Sequence, residues 1–418
     1  MNPLILKASK RFFSVLILLW IALPVEGQFH FGAGFSAKNK SYVQKLESFA
    51  KRPALSGASW SVMIQDLKSG QTLVRANERT NLIPASNLKL ITALNGLKNL
   101  GPGYTFKTKI WTTGTLSNGV LNGNLLIEGS GDPTIYSPDR EKYKDNFFRT
   151  LVALLKSSGI KEITGAILEK PSQNPFAGLR SDWSWSDVGN YYGAGIFPLN
   201  INENQYSMYL QAPAEGSAAR LKKRDSIGNP EVGDVDVVTT SPGSPDLAYI
   251  YWVPGRQMVS IKGSLPQQKD SQKIKGAVMD PPAEFLRITG SELEKAGIAV
   301  KGEAISSASL QEVGVIESPV LSQIVKEINL NSNNLMTESV GYALCQKDSK
   351  PDEWGWTHLA KFATTFSCPP GYYFSDACGL SLSNRISAEG FCRALRWAAN
   401  QTFFPVFYES LPTSGISG

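Results

Sequence analysis

Near Gly101 helical periodicity gives way to strand-and-turn patterns that hold, apart from one helix, until about residue 283, and this interruption constrains the fold of the chain more than any other feature. Before it, Trp60–Leu67, Lys68-Ser69-Gly70 and Gln71–Arg75 read as a β-hairpin with Gly70 in the turn. The hairpin leads into a long amphipathic helix that starts near Ser86 and ends near Gly101. Within the interruption, Thr105–Thr113, Gly123–Glu128 and Glu162–Glu169 look like strands between Gly-rich turns, with one helix near Asp145–Ser157. A Pro-, Gly-, Ser- and Asp-rich strand-and-turn region then runs from about Ala212 to Pro282. Helical spacing resumes at Ala283–Ala296, Ser322–Ile328, Asn334–Cys345, His358–Phe366 and Ala388–Ala399. The simplest organisation is an α+β chain: a helix-rich domain at 28–100 and 316–418, split by a β-rich insertion at 101–315.

Ser86-Asn87-Leu88-Lys89 lies at the start of that first helix, with Pro84 upstream and Leu90-Ile91-Thr92-Ala93-Leu94 downstream. Two residues three apart on a helix share a face, so an amine at 89 can reach a hydroxyl at 86. That places a nucleophile beside its base. The alternative is that Ser86 only caps the helix and Lys89 is a solvated first-turn residue. Ser-x-x-Lys recurs at Ser48–Lys51, which runs into Pro53, and at Ser158–Lys161, which surrounds Gly159 at a helix end. Only Ser86 opens a long helix.

Lys7, Lys10 and Arg11 precede the apolar run Phe12–Leu23, followed by Pro24 and small residues up to Gly27. This reads as a cleavable export signal over 1–27, and a periplasmic or secreted location is expected. The apolar run falls short of the ~20 residues a spanning helix needs, so no stable membrane span is expected. The net charge of +6 is spread along the 418 residues, and its tightest cluster, Arg220–Arg224, reads as a solvated loop. Nucleic-acid binding is therefore not expected.

The cysteines Cys345, Cys368, Cys378 and Cys392 all lie in the last fifth of the chain, where an oxidising compartment permits disulfides in any of three pairings. Their spacing is not that of a zinc site, and His30 and His358 are the only histidines, so neither metal nor cofactor is expected. The same scarcity leaves a Ser-His-Asp triad dependent on His358 and makes lysine the better base.

Two further positions carry possible chemistry. Ser332-Asn333-Asn334 fits a turn between helices, where a hydroxyl can relay protons and an amide can hold a peptide backbone; a capping Asx-type turn is the plainer reading. Asp132, in Gly129-Ser130-Gly131-Asp132-Pro133, could receive a substrate ammonium. The Asx turn weighs more here, because Asp before Pro initiates turns.

Taken in order, several stretches make the chain resemble the D-alanyl-D-alanine carboxypeptidase/endopeptidase family of penicillin-binding serine enzymes with an inserted domain. These are Ile83-Pro84-Ala85-Ser86-Asn87-Leu88-Lys89, Gly129–Thr134, Trp183-Ser184-Trp185-Ser186-Asp187 with Tyr191-Tyr192-Gly193-Ala194, Asn331–Leu335, Asp376-Ala377-Cys378-Gly379-Leu380-Ser381, and Ser410-Leu411-Pro412. The resemblance covers about Lys45 to the end. It implies a five-stranded antiparallel sheet with helices on both faces, and acyl transfer on peptidoglycan stem peptides with β-lactams as covalent inhibitors.

In the implied mechanism Ser86 attacks and Lys89 takes its proton, desolvation being what makes a lysine a usable base. Ser332 passes a proton to the leaving amine and Asn334 holds the peptide. Two departures from the family pattern stand out. Ala377 and Cys378 replace a Gly and a Ser in the Asp376 loop, and no Lys-Thr-Gly follows Ser410-Leu411-Pro412 before Gly418. The expectation is thus a C-terminally shortened domain without its last strands. A non-catalytic module that only binds cell-wall peptides is the alternative; a β-lactamase fits less well, because a small-molecule hydrolase has no use for so large an insertion.

Overall fold

The computed structural model describes residues 30–31, 37–137, 146–171, 178–228, 230–307, 309–347 and 355–416. The expected export signal at 1–27 lies outside them. Among the described residues no helix is long and apolar enough to cross a membrane. The chain divides into two compact units, 1–104 with 321–333 and 352–418, and 105–320 with 334–351.

In the first unit, β2 (Val62–Gln65) and β3 (Thr72–Ala76) form the expected hairpin, and β1 (His30–Phe31) pairs with the other edge of β3. Asp66 Oδ1 accepts from the amide and the hydroxyl of Ser69, at 2.7 and 2.6 Å, while Gly70 turns with φ 71°. Lys68-Ser69-Gly70 is therefore turn chemistry, and the Ser69 hydrogen bonds hold the Asp66 carboxyl below its usual range. Among the described residues this sheet has three antiparallel strands, where the resemblance implied five.

The unit's helices are α1 (Ala37–Ala50), α2 (Leu88–Asn99), α5 (Leu321–Asn331), α7 (Gly355–Thr365), α8 (Ala388–Ala398) and α9 (Phe404–Ser410). Helix α2 is buried nearly all round and packs against α5, α7, α8 and α9, which makes it the centre of this unit. Helix α8 covers β2; Ser387 caps it by accepting from Gly390 N–H at 3.1 Å. The two turns of α9 were not foreseen: seven residues carry too little periodic signal.

In the second unit, β4 (Lys107–Thr112), β7 (Leu125–Glu128), β9 (Ile167–Glu169) and β17 (Gln311–Glu317) make one sheet in the order β17-β4-β7-β9. Beside them β5 (Thr115–Ser117), β6 (Val120–Asn122), β8 (Glu162–Ile163) and β16 (Ala299–Val300) make another, in the order β16-β8-β6-β5. Helices α3 (Asn146–Ser157) and α4 (Pro281–Lys295) close a core that includes Ile110, Leu125, Phe147, Leu151, Phe285 and Ile288.

The single strand expected at Glu162–Glu169 is in fact two strands in different sheets. Gly165 sits at the crossing, where a Cβ would lie 2.4 Å from the Gly123 carbonyl oxygen, so the chain steps between sheets at a point only glycine permits.

The other two sheets are β11-β10-β15, from Arg220–Arg224, Gln205–Gln211 and Gln272–Ala277, and β12-β14-β13, from Glu231–Thr240, Met258–Pro266 and Tyr249–Trp252. They enclose a second core around Met208, Leu210, Val237, Ile250, Val259 and Ile261. Strand β12 runs parallel to β14, and β13 antiparallel to it. The basic run Arg220–Arg224 is edge strand β11 rather than a loop; its exposed charges suit an unpaired edge. Helix α6 (Asn334–Lys347) belongs to this unit and is buried along almost its whole length.

Candidate active site

Pro84-Ala85-Ser86-Asn87 enters α2 through a 3-10 turn, Ala85–Asn87, with Ala85 held at φ 46°. A non-glycine residue there is strained. Neither this turn nor α2 carries a side-chain cap, so Ser86 does not act as the helix cap. Its Oγ instead accepts from Lys89 Nζ at 3.0 Å. Lys89 is only 3% exposed, which excludes the solvated first-turn reading. The competing Ser-x-x-Lys pairs behave otherwise: Ser48 Oγ donates to the Lys45 carbonyl and Ser158 Oγ to the Leu154 carbonyl, each at 2.9 Å. Both hydroxyls are spent on helix backbone.

The loop Asp376–Ser381 holds Lys89 from the other side. Lys89 Nζ donates to the Cys378 carbonyl at 2.8 Å, and Thr92 Oγ1, one turn further along α2, donates to the Ala377 carbonyl at 2.6 Å. The two positions that depart from the family pattern thus meet α2 through their backbone carbonyls, which a change of side chain leaves in place. The loop is wound around the buried Asp376 carboxylate. It accepts from Gly379 N–H at 2.8 Å, Ser381 N–H at 2.6 Å and Asn384 Nδ2 at 2.8 Å. Asp376 is the organising residue that sequence reasoning passed over, although the Asp-x-x-Gly-x-Ser spacing is that of a carboxylate collecting successive amides.

Gly379 has φ 87°, and a Cβ there would stand 1.8 Å from the Ala85 carbonyl oxygen, one residue before Ser86. Gly379→Ala is therefore expected to lower Tm by about 5 °C or more, from ~1–3 kcal/mol of backbone strain plus the clash. It should also slow any reaction at Ser86, since the displaced peptide is the one that sets its position. Thermal melts alongside penicillin labelling check both.

Ser332 lies in the turn after α5 with φ 51°. Asn334 opens α6, and its Nδ2 donates to the Tyr192 carbonyl at 2.7 Å, which fixes the Tyr191–Gly193 turn. Asp132 lies in the second unit, 4% exposed, with Oδ1 accepting from Thr134 N–H at 2.8 Å and Thr134 Oγ1 at 2.7 Å, the geometry of an Asx turn. All four cysteines are thiols, and burial pushes Cys368 and Cys392 up to about 12, leaving them poor nucleophiles.

The fold is of penicillin-binding type. The crystal structure of penicillin binding protein 4 (dacB) from Haemophilus influenzae superposes with a TM-score of 0.70 at 21% identity, covering 85% of this chain and 78% of that one. A second crystal structure of the same protein, complexed with a novel β-lactam, gives a TM-score of 0.66 at 20% identity, over 85% of this chain and 77% of that one. The chain belongs to the D-Ala-D-Ala carboxypeptidase 3 (S13) family, which it matches over residues 42–418. It is 25% identical to a D-alanyl-D-alanine carboxypeptidase of Actinomadura sp. (strain R39) over 389 residues, 90% of this chain and 71% of that one. It is 24% identical to penicillin-sensitive carboxypeptidase A of Dictyostelium discoideum over 391 residues, 87% of this chain and 73% of that one.

Proposed function

We propose that this chain is an exported serine-type D-Ala-D-Ala carboxypeptidase and endopeptidase acting on peptidoglycan stem peptides through an acyl-enzyme on Ser86. The observation that carries this reading is the buried Lys89 amine 3.0 Å from the Ser86 hydroxyl at the start of the central helix. Lys89 takes the proton from Ser86 as Oγ attacks the carbonyl between the two D-alanines. The backbone N–H of Ser86 donates to the oxyanion. When the C–N bond breaks, Ser332 passes a proton to the leaving amine, and water then cleaves the Ser86 ester and restores the hydroxyl. Asn334 holds the peptide backbone of the substrate. Release of D-alanine from a stem pentapeptide, blocked by prior exposure to penicillin, tests the reading; a chain that neither releases D-alanine nor takes up penicillin covalently refutes it.

Asp132, with Oδ1 engaged by Thr134, has a structural role in this reading. Burial raises its carboxyl from 3.8 to about 6. An acid whose folded pKa is raised keeps its proton longer in the folded state, so its burial costs nothing below pH 3.8, costs progressively more up to about pH 6, and stays costly above that. Asp132→Asn removes this cost, and the variant should gain Tm over wild type at pH 8 but not at pH 4. On stem peptides with and without a side-chain amine, equal activity changes indicate the structural role; a loss confined to the amine-bearing peptide makes Asp132 a substrate contact.

A further inference from the structure

On the solvent face of the β12-β14-β13 sheet lies a groove of about 570 Å³ lined by Trp185, Tyr251, Val253, Arg256, Met258 and Lys262. Trp185 is 53% exposed, and Val253 and Met258 are also exposed. Tyr249 and Tyr251 alternate with the buried Ile250 and Trp252, so both tyrosines face outward, paired across the ladder with Lys262 and Ser260. The loop after β13 is pinned by Trp252 Nε1 donating to the Arg256 carbonyl at 2.7 Å. The Arg256 side chain pairs with no carboxylate among the described residues, whereas Lys262 lies 3.8 Å from Asp234. The groove therefore combines exposed ring faces with an uncompensated guanidinium.

A pinned segment joins this groove to Asn334. Trp185 and Tyr192 stand on one loop, and between them Asn190 clamps the loop to β13, with Oδ1 accepting from Ile250 N–H at 3.0 Å and Nδ2 donating to the Ile250 carbonyl at 3.3 Å. A Cβ at Gly189 would lie 2.1 Å from that carbonyl oxygen, so the two backbones are in direct contact. Tyr192 donates to Asp187 Oδ1 at 3.2 Å, stacks edge-on against Tyr191 at 5.4 Å, and gives its carbonyl to Asn334. Lys275 sits 5.5 Å over the Tyr191 ring. Hydrogen bonds thus tie the loop that carries Trp185 and Tyr192 both to Asn334, the residue assigned to the substrate backbone, and to β13, which carries Tyr251.

We infer that this groove binds the glycan chain of the peptidoglycan polymer, with aminosugar rings against Trp185 and Tyr251 and a stem-peptide carboxylate against Arg256. The choice of polymer rests on the cell-wall function proposed above. The C–H face of a pyranose carries positively polarised hydrogens that suit the negative face of an aromatic ring. The volume is that of a small-ligand site, and polar rim groups beside flat aromatics suit a hydroxylated ligand better than the apolar core of a protein interface. A free guanidinium selects a carboxylate.

Co-sedimentation with insoluble peptidoglycan tests the inference, using the full chain in a Ser86→Ala background so that nothing is cut. The double variant Trp185→Ala/Tyr251→Ala is expected to need about tenfold more polymer for half-binding, and Trp185→Tyr to bind as the parent does. Arg256→Glu should weaken binding to peptide-bearing chains and leave peptide-stripped chains unaffected. With Ser86 restored, each of these variants should react with penicillin at the parent rate. Parent-like binding by the double variant overturns the inference, as does a loss accompanied by slowed penicillin acylation, or a loss confined to a protein partner while glycan binding persists. The penicillin arm reads the Ser86 chemistry alone, so failure of the proposed function and failure of the glycan site are separate results.

Discussion

Ser86→Ala is expected to abolish covalent labelling by a fluorescent penicillin and to reduce D-alanine release to background, while the fold survives. The hydroxyl caps no helix, and it accepts a 3.0 Å hydrogen bond from Lys89. Losing it costs about 1 kcal/mol, and Lys89 keeps the Cys378 carbonyl at 2.8 Å as a partner. A shift of only a few degrees in Tm together with complete loss of labelling is the expected pair of results. Persistent labelling of the Ala variant would place the nucleophile elsewhere and remove the basis of the proposed function.

Lys89→Arg is expected to lower the acylation rate by about 10²–10⁴, the range general-base catalysis supplies. Arginine keeps the positive charge and can still donate to the Ser86 oxygen and the Cys378 carbonyl, but a guanidinium does not deprotonate in proteins and cannot accept the hydroxyl proton. Since Lys89 is buried, circular dichroism and a thermal melt must show a folded protein before the rate is read. Parent-like acylation by a folded Arg variant would exclude the lysine as base and leave the 3.0 Å contact as an orienting hydrogen bond.

Much of this was visible in one dimension because it depends on near neighbours. The Ser86–Lys89 pair is a matter of helical spacing, and the hairpin before it one of local turn chemistry, which needs only Asp66, Ser69 and Gly70. Helices at 281–295, 321–331, 334–347 and 388–398 lie within a few residues of the spans expected for them. Short strands were less legible. The stretch 162–169 has the composition of one strand, but its division between two sheets is set by the Gly165–Gly123 contact, 42 residues away along the chain. Likewise the charges of Arg220–Arg224 suggested a loop, and pairing with β10 made them an edge strand.

The chain's own order of residues determined which serine could be a nucleophile and which lysine lay one turn away, because both belong to a single local helix start. It could not determine whether that serine caps the helix or meets the lysine, since a first-turn amine is equally at home in water. Packing decided it. The Asp376 loop, nearly 290 residues further on, lays the Ala377 and Cys378 carbonyls against α2, and Gly379 admits the Ala85 carbonyl where any side chain would collide with it. Burying an amine carries a desolvation cost that only correctly placed acceptors offset, and those acceptors come from a part of the chain that local sequence cannot see.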